Sequence, residues 1–144
     1  MRFFITLSKK TLCVILALLI IALIIIGQLF TIKADGIDGS TNALRIEYIS
    51  GLGYTADETA VSVKEIVIPE SFSDVYSKYN RLQQTAGFDL TRHKGDNACV
   101  YTYRLSDSED TVINLIVSDN IIIGGDISSV RIDGEMKSLL PKGK

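Results

Sequence analysis

His93 is the only histidine in this chain of 144 residues. A histidine metal site or a Ser-His-acid triad would therefore have to use it. It falls in "TRHKGD", a polar stretch with no second imidazole and no thiolate pair, and it reads as an exposed loop histidine. The two cysteines are far apart in the sequence. Cys13 lies in an apolar run. Cys99 begins a strand-like stretch without neighbours that would activate a thiol, which fits a small buried hydrophobe. "DSED", residues 107–110, gathers carboxylates but lacks the spaced ligands and central glycine of a calcium loop, and reads as a hairpin turn. "GLG" and "IGGD" lack the glycine fingerprint and following helix of a phosphate loop. These residues single out no catalytic group, metal or cofactor. The enzymatic alternative is a small hydrolase built on His93 and nearby acids.

Recognition is the chemistry left. Tyr76 and Tyr79 fall on one predicted helix, and Tyr101 and Tyr103 on one predicted strand. A tyrosine offers a broad ring and a polar tip, which suits a binding surface. With Asn80, Gln83 and Arg104 these rings make a candidate groove. Helix and strand periodicity both turn the rings inward, however, so filling a core that has no tryptophan is the favoured reading. Gln83 falls in the apolar sector of its helix. It is expected to be a buried amide bonded to a tyrosine hydroxyl or a strand backbone, and Gln83→Leu is expected to leave the fold intact.

The elements that position these residues follow from pattern. "STNALRIEYISGLG" suggests a helix capped near residues 40–42 and stopped at residues 51–53, with Leu44, Tyr48 and Ile49 on its apolar side. "AVSVKEIVIP" reads as a strand ended by Pro69. A second helix starts from Ser71, with Asp74 completing a weak capping box. Phe72, Val75, Tyr76, Tyr79, Leu82 and Ala86 share one of its faces, and Gly87 ends it. "CVYTYRL" and "TVINLIVS" read as strands. Asp119–Asn120 makes a tight hairpin into "IIIGGDISSVRI", where paired glycines signal a bulge or a close backbone approach. The order α-β-α-β-β-β predicts an α+β fold: a small antiparallel sheet with the helices packed on one face.

Location is written in the N-terminal third. Residues 11–32 carry no charge, and 15 of them are Leu, Ile, Val or Phe. As a helix the run is about 33 Å long, enough to cross a hydrocarbon core of about 30 Å. Its apolar residues favour insertion by about 7 kcal/mol. It is too long for a cleaved signal peptide and lacks a small-x-small exit, so an uncleaved single-pass anchor is expected. Arg2, Lys9 and Lys10 precede it, which places residues 1–10 in the cytoplasm and the C-terminal part outside. Residues 33–42 read as a flexible tether, 43–140 as the extracytoplasmic domain and 141–144 as a tail. Beyond residue 32 stand 12 of the 15 basic residues and all 17 acidic ones, a balance of −5. That argues against nucleic acid. The expected partners are the membrane itself and an envelope protein or peptide. A further alternative is an accessory subunit acting through its membrane helix.

Several stretches together carry a likeness: Ile68-Pro69, then "F..VY..YN.LQ...GFDL" from Phe72, then Gly95 ahead of "YTY", then "IIGGDI.SV..DG" from Ile122. This set resembles a family of small membrane-anchored extracytoplasmic domains of unknown function from clostridial-type Gram-positive bacteria. The likeness runs over residues 44–140. It implies the same architecture, one N-terminal membrane segment and a small outer domain, and it supplies no activity. His93 and Asp96–Asn97 stand where the resemblance implies an aromatic and a basic residue around the glycine.

Overall fold

A computed structural model of the chain describes residues 36–131 and 133–143. The expected cytoplasmic segment, the membrane span at residues 11–32 and Cys13 lie outside the described residues. No described helix is long and apolar enough to cross a membrane. From Gly36 onward the chain forms one compact unit.

Its elements are β1 (Ile37–Asp38), α1 (Asn42–Gly51), β2 (Ser62–Val67), α2 (Asp74–Thr85), a 3-10 turn (Leu90–His93), β3 (Asn97–Leu105), β4 (Ser108–Ser118), β5 (Ile121–Ser129) and β6 (Met136–Ser138). The strands make one antiparallel sheet in the order β1-β5-β4-β3-β2, and β6 also pairs with β5. The fold is therefore α+β, with the expected meander β3-β4-β5 at its centre. The Asp119–Asn120 turn joins β4 to β5 with both residues at positive φ, which matches the right-handed twist of the strands.

Two strands are additional to the sequence reading. β1 lies in what reads as the tether, where Ile37 pairs with Ile122 and Gly39 N–H donates to Asn120 O at 2.8 Å. β6 is "MKS". Strands of two and three residues are too short to show an alternation. The β3–β4 turn is also tighter than expected: Ser108, Glu109 and Asp110 already belong to β4.

The helices do not share one face. Residues directly paired across neighbouring strands point the same way, and successive residues point oppositely. Tyr103 pairs with Ile113, and Asn114 pairs with Asp126, so Tyr103 and Asp126 lie on opposite faces. Arg45 of α1 bonds to Tyr103, whereas Tyr79 of α2 bonds to Asp126. Each face has its own core. On the α1 side, Ile49 of the helix packs with Tyr103, Leu105, Ile113, Leu115, Val117, Ile122 and Leu139. Under α2, Tyr76 and Tyr79 pack on Ile68, Leu90, Ala98, Ile116 and Ile123. The physical reason is β4. Val112, Ile113, Leu115, Ile116 and Val117 are all buried, on both parities, and a strand apolar on both sides needs two covers.

Helix ends follow local chemistry. Thr41 caps α1, its hydroxyl accepting from Leu44 N–H at 3.3 Å. α2 is capped by Ser73 and not Ser71: Ser73 Oγ accepts from Tyr76 N–H at 3.2 Å. That places Val75 in solvent, 77 % exposed, and turns Asn80 and Gln83 inward.

Candidate functional site

The seven tyrosine-cluster residues are not brought to one place. Tyr76, Tyr79, Asn80 and Gln83 line the inner side of α2. Tyr101 and Tyr103 project from the other face of the sheet, toward α1. Arg104 is exposed.

The α2 group is tied into structure. Asn80 is 4 % exposed; its Oδ1 accepts from Leu90 N–H at 2.8 Å and its Nδ2 donates to Asp89 Oδ1 at 3.1 Å. Gln83 is fully buried, and its Oε1 accepts from Gly125 N–H at 2.8 Å. Ser129 N–H faces the β6 side of β5, so by alternation Gly125 N–H opens on the same edge, in the gap between β1 and β6. Gln83 fills that gap with a side-chain acceptor. A Cβ on Gly124 would stand 2.9 Å from Gln83 Oε1 and 3.3 Å from a Leu90 methyl, so the paired glycines serve a close approach. Gln83 Nε2 is buried and has no protein partner among the described residues.

Beside it runs a polar network that the sequence did not single out. Tyr79 Oη donates to Asp126 Oδ2 at 2.8 Å, and Asn114 Nδ2 donates to Asp126 Oδ1 at 2.9 Å. Ser128 Oγ also donates to Asp126, and Thr102 Oγ1 donates to Asn114 Oδ1 at 2.8 Å. Asp126 is 3 % exposed. Burial, then the Asp126 charge, push the Tyr79 phenol far above its ordinary value, so it stays a neutral donor. The sequence signal was a lone acid in an apolar strand, "IIGGDIS". At the foot of α2, the Thr91 hydroxyl and then the Asn80 amide hold the Asp89 carboxyl down at about 2.

On the other face, Arg45 is 7 % exposed, a burial that the apolar side formed by Leu44, Tyr48 and Ile49 does not signal. It lies one turn before Ile49 on the inner side. Its Nε donates to Tyr103 Oη at 2.8 Å and one terminal nitrogen donates to Gly39 O at 2.6 Å. Its guanidinium sits 3.7 Å from the centre of the Tyr101 ring, a stacked cation–π contact. Tyr103 Oη in turn donates to Asn42 Oδ1 at 2.9 Å. Both tyrosines are thus contacted from α1.

Tyr101 also lines an open cleft of about 680 Å³ between α1's half of the sheet and the β2 edge. The other walls come from residues 65–67 of β2, residues 97–99 of β3 including Cys99, Val117 of β4 and the hairpin residues Asp119 and Asn120. Its lining holds two carboxylates and no Lys or Arg. Cys99 is half-buried there with a free thiol, not sunk in a core. The cleft lies where the two helices leave the sheet bare. Val63 and Val67 are 56 % and 60 % exposed. Of the predicted site residues only Tyr101 belongs to it. The sequence pattern marks Glu65 and Val67 only as strand, and Asp119–Asn120 only as turn.

His93 is not a free loop side chain. It ends the 3-10 turn, half-buried, with Nδ1 3.1 Å from Asp96 Oδ2. It does not line the cleft. No cluster of three or more metal-ligating side chains occurs among the described residues.

A family model described as a domain of unknown function, DUF4830, matches residues 48–127, more than half of the chain. The chain belongs to this family. No curated protein and no solved structure matches it. The matched DUF4830 stretch runs from Tyr48 in α1 to Ile127 in β5. It contains both cores' central strands, Gln83 with its glycine seat, and every residue lining the cleft, while β1 and β6 fall outside it.

Proposed function

We propose that the protein is a membrane-anchored, extracytoplasmic module of the cell envelope that binds another protein or a peptide and does no chemistry of its own. The observation that carries this reading is the cleft beside β2. It pairs an aromatic wall, Tyr101 stacked on Arg45, with exposed Val67 and an unpaired strand edge, and exposed Val63 follows on the same face of β2. Pre-held rings and open strand edges are what peptide recognition uses, because little entropy is lost on docking. The anchor part rests on the uncharged run at residues 11–32 and the basic residues before it.

The test is cross-linking on intact cells followed by affinity capture of the full chain and mass spectrometry. The wild type is expected to enrich one partner reproducibly. Val63→Asp with Val67→Asp, both at exposed positions, is expected to lose it while circular dichroism stays unchanged. Equal enrichment by the double variant refutes the cleft as the binding surface. Protease added to intact cells that leaves the C-terminal part untouched refutes the location.

The competing reading, a small envelope hydrolase, draws on the His93–Asp96 pair. Unchanged cellular behaviour of His93→Ala removes it. An accessory subunit working through its membrane helix is tested by exchanging residues 11–32 for an unrelated spanning helix.

A further inference from the structure

β2 is the last strand of the sheet, and nothing among the described residues pairs with its outer edge. Ile68 N–H donates inward to Asp96 O at 2.9 Å. In an antiparallel ladder the bonding direction alternates, so Ile66, Lys64 and Ser62 also face β3. The backbone donors and acceptors of Val63, Glu65 and Val67 therefore face outward. The same three residues send their side chains to the cleft side, since they pair with Tyr101, Cys99 and Asn97. One edge thus presents unpaired backbone and an apolar–acidic–apolar row together. Glu65 has no ion-pair partner among the described residues. Asp119 adds a second carboxylate across the cleft.

We infer that the β2 edge takes up an extended segment of another protein as an added antiparallel strand, with an apolar–basic–apolar row opposite Val63, Glu65 and Val67. This rests on the binding reading above. Cross-strand pairing rules favour an apolar side chain opposite each valine and a Lys or Arg opposite Glu65. The two cleft carboxylates attract that cation before contact. A second copy of this chain is the wrong occupant. Two-fold antiparallel pairing keeps the cleft faces on one side. The registers nearest the strand centre then set Lys64 against Lys64 or Glu65 against Glu65, and like charges directly opposed repel. Lys64 on an edge strand also discourages indiscriminate pairing.

The probes are two synthetic peptides, Thr-Val-Thr-Arg-Thr-Val-Thr and the same sequence with a central Glu, added to the full chain in detergent micelles. Affinity is read by anisotropy, and the edge is read by amide exchange. The Arg peptide is expected to bind roughly fivefold to tenfold more tightly than the Glu peptide and to slow exchange at Val63, Glu65 and Val67. Glu65→Lys, an exposed change, is expected to reverse the preference. An unreversed preference, binding by neither peptide, or protection elsewhere overturns the proposal. So does concentration-dependent dimerisation that protects the same three amides. If the cellular partner is still captured while these amides stay unprotected, the edge assignment fails and the binding reading stands.

Discussion

β4 and β2 both carry β-branched apolar residues on each face, yet only β4 is covered on both sides. β4 has α1 above it and α2 below, and Ile113, Leu115 and Ile116 are all sealed. β2 has Ile66, with Ile68 just beyond, packed under the α2 side, while Val63 and Val67 stay in water on the other. The difference lies in position, not in residue type. The same β-branched residues make a core at the centre of the sheet and an exposed face at its rim. Two exposed valines flanking a carboxylate, next to unpaired backbone, are the feature on which the proposed strand addition rests.

The largest effect should come from weighing these two strands directly. Ile113→Ala opens a cavity beneath α1 and is expected to cost about 2–5 kcal/mol. Val63→Ala removes methyls that already touch water and should stay within about 0.5 kcal/mol. Urea unfolding of the full chain in micelles, followed by tyrosine fluorescence, measures both. Similar losses at the two positions would mean that something covers β2 after all, and the contrast would be gone.

How far the sequence reveals this arrangement depends on the kind of signal. Periodicity marks the long elements: α1, α2, the β3-β4-β5 meander and the Asp119–Asn120 turn all stand where expected. The two-sided cover was also written in "VINLIV", apolar at both parities, but a flat reading of α+β put both helices together. Tyr76 and Tyr101 look alike in sequence because inward periodicity does not say which layer is inward. The cleft was harder still. It is made of what the helices leave uncovered, and Glu65, Val67 and Asp119 only meet once the sheet order is known. Arg45 was hidden for a different reason. A buried guanidinium is tolerated only where an aromatic face and oxygen acceptors converge on it, and those come from Gly39, Tyr101 and Tyr103.

The seam between the two regions gives a middle-sized test. Gln83 is not a surface residue waiting for a ligand. It serves as the missing backbone acceptor for Gly125 between two short strands. Gln83→Leu is expected to keep the fold and to cost about 1–3 kcal/mol, because Gly125 N–H is left buried without an acceptor. Slowed amide exchange at Gly125 in the wild type should become fast in the variant. If both stability and exchange are unchanged, the gap between β1 and β6 is filled by something other than Gln83, and the covered side is less self-sufficient than the comparison says.

The smallest effect is acid sensitivity on the α2 side. Asp89 has its carboxyl held down at about 2, first by the Thr91 hydroxyl and then by the Asn80 amide and Thr91 N–H, against an ordinary value of 3.8. A carboxyl depressed in the folded state contributes stability that is complete above its unfolded value and fades as pH falls through the folded one. The wild type should therefore lose a small increment between about pH 4 and about pH 2, and Asp89→Asn, which has no such charge to lose, should not. Urea midpoints taken at intervals across that window check this. Amide exchange locates it, since Leu90 and Thr91 should loosen in acid while the intrinsic acid dependence at Val63 and Val67 stays the same in wild type and variant. A matching acid response in the Asn variant would show that the turn after α2 is held by packing on Leu90 alone. The covered face would then owe nothing to its polar lock, and its contrast with β2 would reduce to the presence or absence of a helix.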